Sequence, residues 1–197
     1  EIVEELIERS HKYITDKEIK DDKRLQELEV NKDLLDFSFL IIGGDLIDSS
    51  AFKIYDLNEL KKINKPIFFV TGNHEYYIHN YEKHLQNLNT VGIQILDNES
   101  LTVDGINIIG LSDNISNKSK IEYLDKLSNK NLFNLLIVHK PSIWKKASFK
   151  ANLMLSGHTH NGQIFPFNFV VKLQFPQNYG LYKNNNNHLY VSSGSAT

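Results

Sequence analysis

Asp45, Asn73, His74, His139, His158 and His160 each stand at the end of a short apolar run, and each carries a group that binds cations or moves protons. They lie in Gly44-Asp45-Leu46-Ile47-Asp48, Gly72-Asn73-His74-Glu75, Val138-His139-Lys140-Pro141 and Gly157-His158-Thr159-His160. Carboxylate, amide carbonyl and imidazole together, with no thiolate, suit Mn, Fe, Ni or Zn in a hydrolytic site and not a structural zinc site. Asp45 supplies a carboxylate able to bridge two ions, Asn73 a neutral oxygen and His139 an imidazole. His158 and His160 are two residues apart, so in extended backbone both rings reach the same side. His74 would face away from Asn73 in an extended strand, but in a turn it overhangs the cluster, where it can protonate a leaving oxygen. Two metals about 3.5 to 4 Å apart would generate hydroxide at neutral pH and clamp a phosphoryl group for in-line attack.

Taken singly, each motif has a plainer explanation. An Asp after Gly-Gly is commonly a turn or helix cap, and Asp48 reads that way. A lone His after an apolar strand is commonly structural. The conjunction favours chemistry, because independent turns have no reason to recruit one ligand set. His11, His79, His84 and His188 lack such context and read as surface or partly buried residues. Glu75 reads as a residue that caps or orients its loop, with its role left open.

The positioning elements follow from the runs. Phe39 to Ile42, Ile67 to Val70, Leu135 to Val138 and Leu153 to Leu155 are bounded and mostly unalternated, as strands buried on both faces are. Ligand clefts of open α/β sheets lie beyond the carboxyl ends of such strands. The spacing predicts helices over Ile2 to Ile14, Asp56 to Ile63, Tyr76 to Leu88, Lys118 to Leu127 and Ser142 to Ala147. It predicts a strand over Gly92 to Leu96. Asp104-Gly105 between Leu101 to Val103 and Ile106 to Ile109 predicts a hairpin. Asn184 to Asn187 read as a polar turn. Early alternation of strands and helices, then hairpins, predicts an α/β fold with a mixed sheet or a two-sheet sandwich flanked by helices.

Composition bounds the class. The 197 residues, 41% hydrophobic and 23% charged, make one ordinary soluble domain over 1–197. A net charge of -2 gives no basic footprint for nucleic acid, so an anionic substrate must be held by local charge. The absence of cysteine excludes disulfides and a thiol nucleophile. No stretch approaches the ~20 apolar residues of a membrane span.

In this order, the Gly-Asp-x-x-Asp, Gly-Asn-His-Glu, His-x-Pro and Gly-His-x-His blocks resemble those of the calcineurin-like metallophosphoesterases, with the resemblance covering Phe39 to His160. It implies a four-layer α-β-β-α sandwich and a centre of two divalent metal ions. By this resemblance Asp45 bridges the metals, Asn73, His139 and His158 hold one, His160 holds the other, and His74 is catalytic. Gly157 to Ile164 with Leu189 to Gly194 is similar to a narrower bacterial subgroup, the YkuE- and YaeI-like phosphoesterases. Members often carry an N-terminal membrane segment or export signal, and lipid-linked or nucleotide phosphodiesters are the substrates this implies.

The chain departs from the family in one block: no Asp-x-His occurs in it. The expectation is a domain incomplete at both ends, beginning just after that block and stopping at Ser195-Ala196-Thr197. The competing expectation is a scaffold or binding protein that kept the fold and lost catalysis. A metallo-β-lactamase-like hydrolase would need a His-x-His-x-Asp-His run, which is absent. The aromatic segment Phe165 to Phe175 reads as a buried strand pair; its alternative is an apolar lip for a lipid tail or membrane.

Overall fold

The computed structural model describes residues 37–49, 51–159 and 176–194. The helix expected over Ile2 to Ile14, His11, His160, and the segment Phe165 to Phe175 lie outside them.

The described residues form two sheets. The first is parallel, in the order β1 (Leu40–Ile42), β2 (Ile67–Phe69), β3 (Ile93–Ile95). The second is mixed. It holds β4 (Glu99–Val103), β5 (Ile106–Leu111), β6 (Phe133–Val138), β7 (Leu153–Ser156), β8 (Gly180–Asn184) and β9 (Asn187–Val191) in the order β4-β5-β6-β7-β9-β8. β5, β6, β7 and β9 run parallel, and β4 and β8 pair antiparallel at the two edges. The helices α1 (Tyr81–Leu88), α2 (Asn117–Leu127) and α3 (Trp144–Ala147) cover the outer faces.

Three apolar clusters place these layers. Phe68 and Val70 from β2 and its end pack between the sheets with Ile108, Leu135, Ile137 and Leu153. Ile67 and Phe69 point the other way, toward Leu88 of α1 and Val91. On the second sheet, Leu136, Val138 and Met154 pack outward against Leu124 of α2 and Trp144 and Ala147 of α3. Alternate residues of one strand thus enter different cores, which is why the runs show no polar alternation. The result is the four-layer sandwich expected from the resemblance. β1 departs from the both-faces expectation: it is only half-buried, with a single strand paired to it among the described residues.

Local expectations met mixed outcomes. The Asp104-Gly105 hairpin forms, with both φ angles positive, at 49° and 80°. The strand over Gly92 to Leu96 and the helix over Lys118 to Leu127 are present as β3 and α2, whose Ser116 cap accepts from the Ser119 N–H at 3.1 Å. The helix expected over Asp56 to Ile63 is a 3-10 helix, Ile54–Lys62. The helix expected from Tyr76 to Leu88 is broken into a 3-10 turn, Glu75–Tyr77, and α1. Asn80, left-handed at φ 58°, separates them, and no α-helix passes through that conformation. The helix expected over Ser142 to Ala147 opens as a 3-10 turn, Pro141–Ile143, before α3. The polar turn at Asn184 to Asn187 forms as expected, with Asn184 and Asn187 paired at its ends across β8 and β9.

Candidate metal centre

β1, β2, β6 and β7 all end on the same edge, and their next residues meet there. From the first sheet come Asp45 and the turn Asn73-His74-Glu75. From the second come His139, directly after β6, and His158, two residues after β7. Asp45 Oδ2 lies 3.0 Å from His139 Nε2, which lies 3.1 Å from His158 Nδ1. Ligand atoms of these three residues fall within 4.8 Å of one another.

The local backbone is shaped for this convergence. Asp45 and His158 are both left-handed, at φ 55° and 70°. Neither residue is β-branched, and Asp accepts that region more readily than most side chains. The extended-backbone reason for expecting His158 to point with His160 therefore fails at His158. The residues packed against Asp45 are small by necessity. A Cβ on Gly72 would lie 2.7 Å from Asp45 N, and one on Gly44, at φ 103°, would lie 2.9 Å from Gly72.

Glu75 holds the two loops of the first sheet together, a role the sequence reading left open. It is buried, at 1% exposure. Its Oε2 accepts the N–H groups of Asp45 at 3.1 Å and Gly72 at 2.8 Å, and its Oε1 accepts that of Ile47 at 2.8 Å. Burial, opposed by these donors and reinforced by the charge of Asp45, pushes its carboxyl above the usual range. A second network ties the same turn to the second sheet. The Tyr76 hydroxyl lies 2.6 Å from Ser112 Oγ and 2.7 Å from Thr71 Oγ1, which donates to Asp97 Oδ2 at 2.6 Å.

The electrostatics fit a cation. His139 Nδ1 lies 2.9 Å from the Gly43 carbonyl, which can only accept, so Nδ1 carries a proton and Nε2 is the ring nitrogen that faces Asp45 and His158. Asp45 Oδ2 and His158 Nδ1 flank His139 Nε2 at 3.0 and 3.1 Å, a spacing that one shared cation can bridge. Metal bonds of about 2.0 to 2.2 Å subtend that separation between neighbouring ligands. Burial would raise the Asp45 pKa, but the hydrogen bond to His139, the His74 N–H and the charges of both rings outweigh it, pulling it down to about 2. Burial, then the charges of His139 and Lys140, pull His158 down to about 4 against Asp45 and Asp113, so its ring is neutral at pH 7. Asn73 Oδ1 is buried with no hydrogen-bond partner, an open acceptor of the kind a cation satisfies.

His74 lies in a turn, at φ −65° and ψ −36°, and not in an extended strand. It is exposed, and its backbone N–H donates to Asp45 Oδ1 at 3.0 Å. Asp48 is exposed and heads no helix. His79 is exposed, His84 packs edge-on against Phe52 at 6.0 Å, and His188 is partly buried on β9.

The sequence pattern described as Calcineurin-like phosphoesterase matches residues 18–162. The chain belongs to that family. It is 40% identical over 179 residues to an uncharacterized metallophosphoesterase of Helicobacter pylori, covering 85% of this chain and 47% of that protein. It is 32% identical over 181 residues to a bovine transmembrane protein with a metallophosphoesterase domain, covering 79% of this chain and 40% of the relative. It is 28% identical over 205 residues to the uncharacterized metallophosphoesterase YkuE of Bacillus subtilis, covering 96% and 71%. The chain spans about half the length of the Helicobacter relative. Among its described residues, no helix is long and apolar enough to cross a membrane.

Proposed function

We propose that this chain is the catalytic domain of a divalent-metal phosphoesterase that acts on phosphodiesters. The observation that carries the reading is the convergence of Asp45 Oδ2, His139 Nε2 and His158 Nδ1 beside the unpartnered Asn73 Oδ1. These four would hold metal, with His160 as the further ligand the resemblance implies. Two ions drawn from Mn, Fe, Zn or Ni fit a donor set of imidazoles, carboxylate and amide. Bound divalent ions would neutralise phosphate charge and lower the pKa of water toward neutrality.

The chain's own residues do the rest. Asp45, deprotonated well below neutral pH, supplies a standing negative charge between the two loops. His139, oriented by the Gly43 carbonyl, and His158, neutral at pH 7, would each coordinate through a ring nitrogen. His74 is anchored to Asp45 through its backbone, leaving its exposed ring to give a proton to the departing oxygen. Membrane association and lipid-linked or nucleotide substrates belong to the same proposal, supported by the bovine relative's name and the subgroup resemblance.

The test is His74→Asn, assayed with thymidylyl-(3′→5′)-thymidine, whose alkoxide leaving group needs a proton. General acid catalysis is worth about 10²- to 10⁴-fold, so kcat should fall by that order while metal content stays at the wild-type level. Unchanged turnover would remove His74 from the chemistry. Turnover unaffected by a chelator would remove the metal, and a scaffold would show no turnover in either protein.

A further inference from the structure

A second group of charges lies on the same edge of the second sheet, outside the ligand set. Asp113 stands just past β5, Lys140 just past β6 and directly after His139, and Lys120 comes from α2. Lys120 Nζ donates to Asp113 Oδ1 at 3.0 Å, and Lys140 Nζ donates to Oδ2 at 2.5 Å. The side chains of Lys120 and Asp113 are each 3% exposed, while that of Lys140 is 27% exposed.

One carboxylate is thus shared by two ammonium groups. Lys120 alone would neutralise Asp113, so Lys140 leaves a surplus of one positive charge. Stability is a poor reason for the surplus, since buried ion pairs often do no better than apolar side chains of similar size. The surplus also runs against a chain of net charge -2. Lys140 stands directly after His139, close enough for its charge to act on the His158 ring. An ammonium has three donors, and Asp113 takes one of the three on Lys140. The Lys140 side chain, unlike that of Lys120, is partly open to solvent.

We propose that Lys140, held in place by Asp113, determines specificity by receiving a second phosphate of the substrate, separate from the ester being cut. The preferred substrates are then diesters bearing a further phosphate monoester or diphosphate group. This rests on the phosphodiesterase reading above.

The test compares two esters with the same scissile bond and leaving group: thymidine 5′-(4-nitrophenyl phosphate) and its 3′-phosphorylated counterpart. The wild type should favour the 3′-phosphorylated ester through KM. Lys140→Met should reduce that preference in kcat/KM roughly tenfold, the value of one charged hydrogen bond, and Lys140→Arg should restore most of it. An equal preference ratio in wild type and Lys140→Met would overturn the proposal and leave Lys140 a structural partner of Asp113. Calorimetry with thymidine 3′,5′-bisphosphate and thymidine 5′-phosphate on the metal-loaded protein reads the same preference without turnover. If neither ester is cleaved but the binding preference collapses in Lys140→Met, the diesterase reading falls and the anion site stands. If it does not collapse, both fall.

Discussion

The two sheets contribute to one site by different means. The first sheet's half is built from backbone: left-handed Asp45, two glycines that admit no Cβ, and Glu75 collecting three N–H groups from two loops. The second sheet's half is built from side-chain charge: His139 and His158 in ring contact, with Asp113, Lys120 and Lys140 behind them. A half shaped by backbone is lost when a loop moves, whereas a half shaped by charge is lost when a buried ion is orphaned. Variants should therefore separate metal affinity from fold stability.

The largest effect is expected from the charged half. Asp113→Ala strands Lys120, a buried cation, and removing one partner of a buried pair costs about 3 to 5 kcal/mol. Denaturant unfolding of the metal-free protein measures it, and a loss below about 1 kcal/mol would mean that the triad is solvated.

Next comes the backbone half. Glu75→Gln turns an amide NH₂ toward N–H donors and loosens both loops. Metal affinity should fall about 10- to 100-fold, as for other groups that orient ligands, while stability falls less than in Asp113→Ala. Equal losses of stability in the two variants would erase the distinction between the halves.

The smallest effect is a pH slope. The His158 pKa is about 4 when folded and ordinarily 6.5, so the unfolded chain binds the proton more readily. Its contribution to stability is complete above pH 6.5 and is lost as pH falls toward 4. Metal-free melting temperatures should decline across that window, and His158→Ala should flatten the decline. Asp45 acts in the same direction lower down, between its ordinary 3.8 and about 2. A melting temperature that rises as pH falls from 6.5 to 4 would reverse the assigned sign.

Much of this arrangement was legible because ligand-bearing residues sit beside their strands. An apolar run followed by Asp45, His74, His139 or His158 is local information, as is the Asp104-Gly105 turn. The layer count followed from the resemblance, and the covered faces of β2 and β6 explain why their runs do not alternate. What escaped was non-local. Glu75 reaches partners 28 and 30 residues away, and Asp113 meets Lys140 across 27. Lys120 did leave a trace: it precedes Leu124 and Leu127 by four and seven residues, a cation on the apolar face of α2, and such a cation needs a buried anion. The left-handed Asp45 and His158 had no such trace, because neither is the glycine that usually marks the region.

The measurement that bears most directly on the account is metal content by mass spectrometry of the purified wild type beside Asp45→Ala. Asp45 is the one carboxylate in the converging set, so the wild type should hold divalent metal and the variant should lose most of it. Wild-type metal content in Asp45→Ala, or none in the wild type after loading with Mn, Fe, Zn or Ni, would contradict the metal centre and the proposed activity with it.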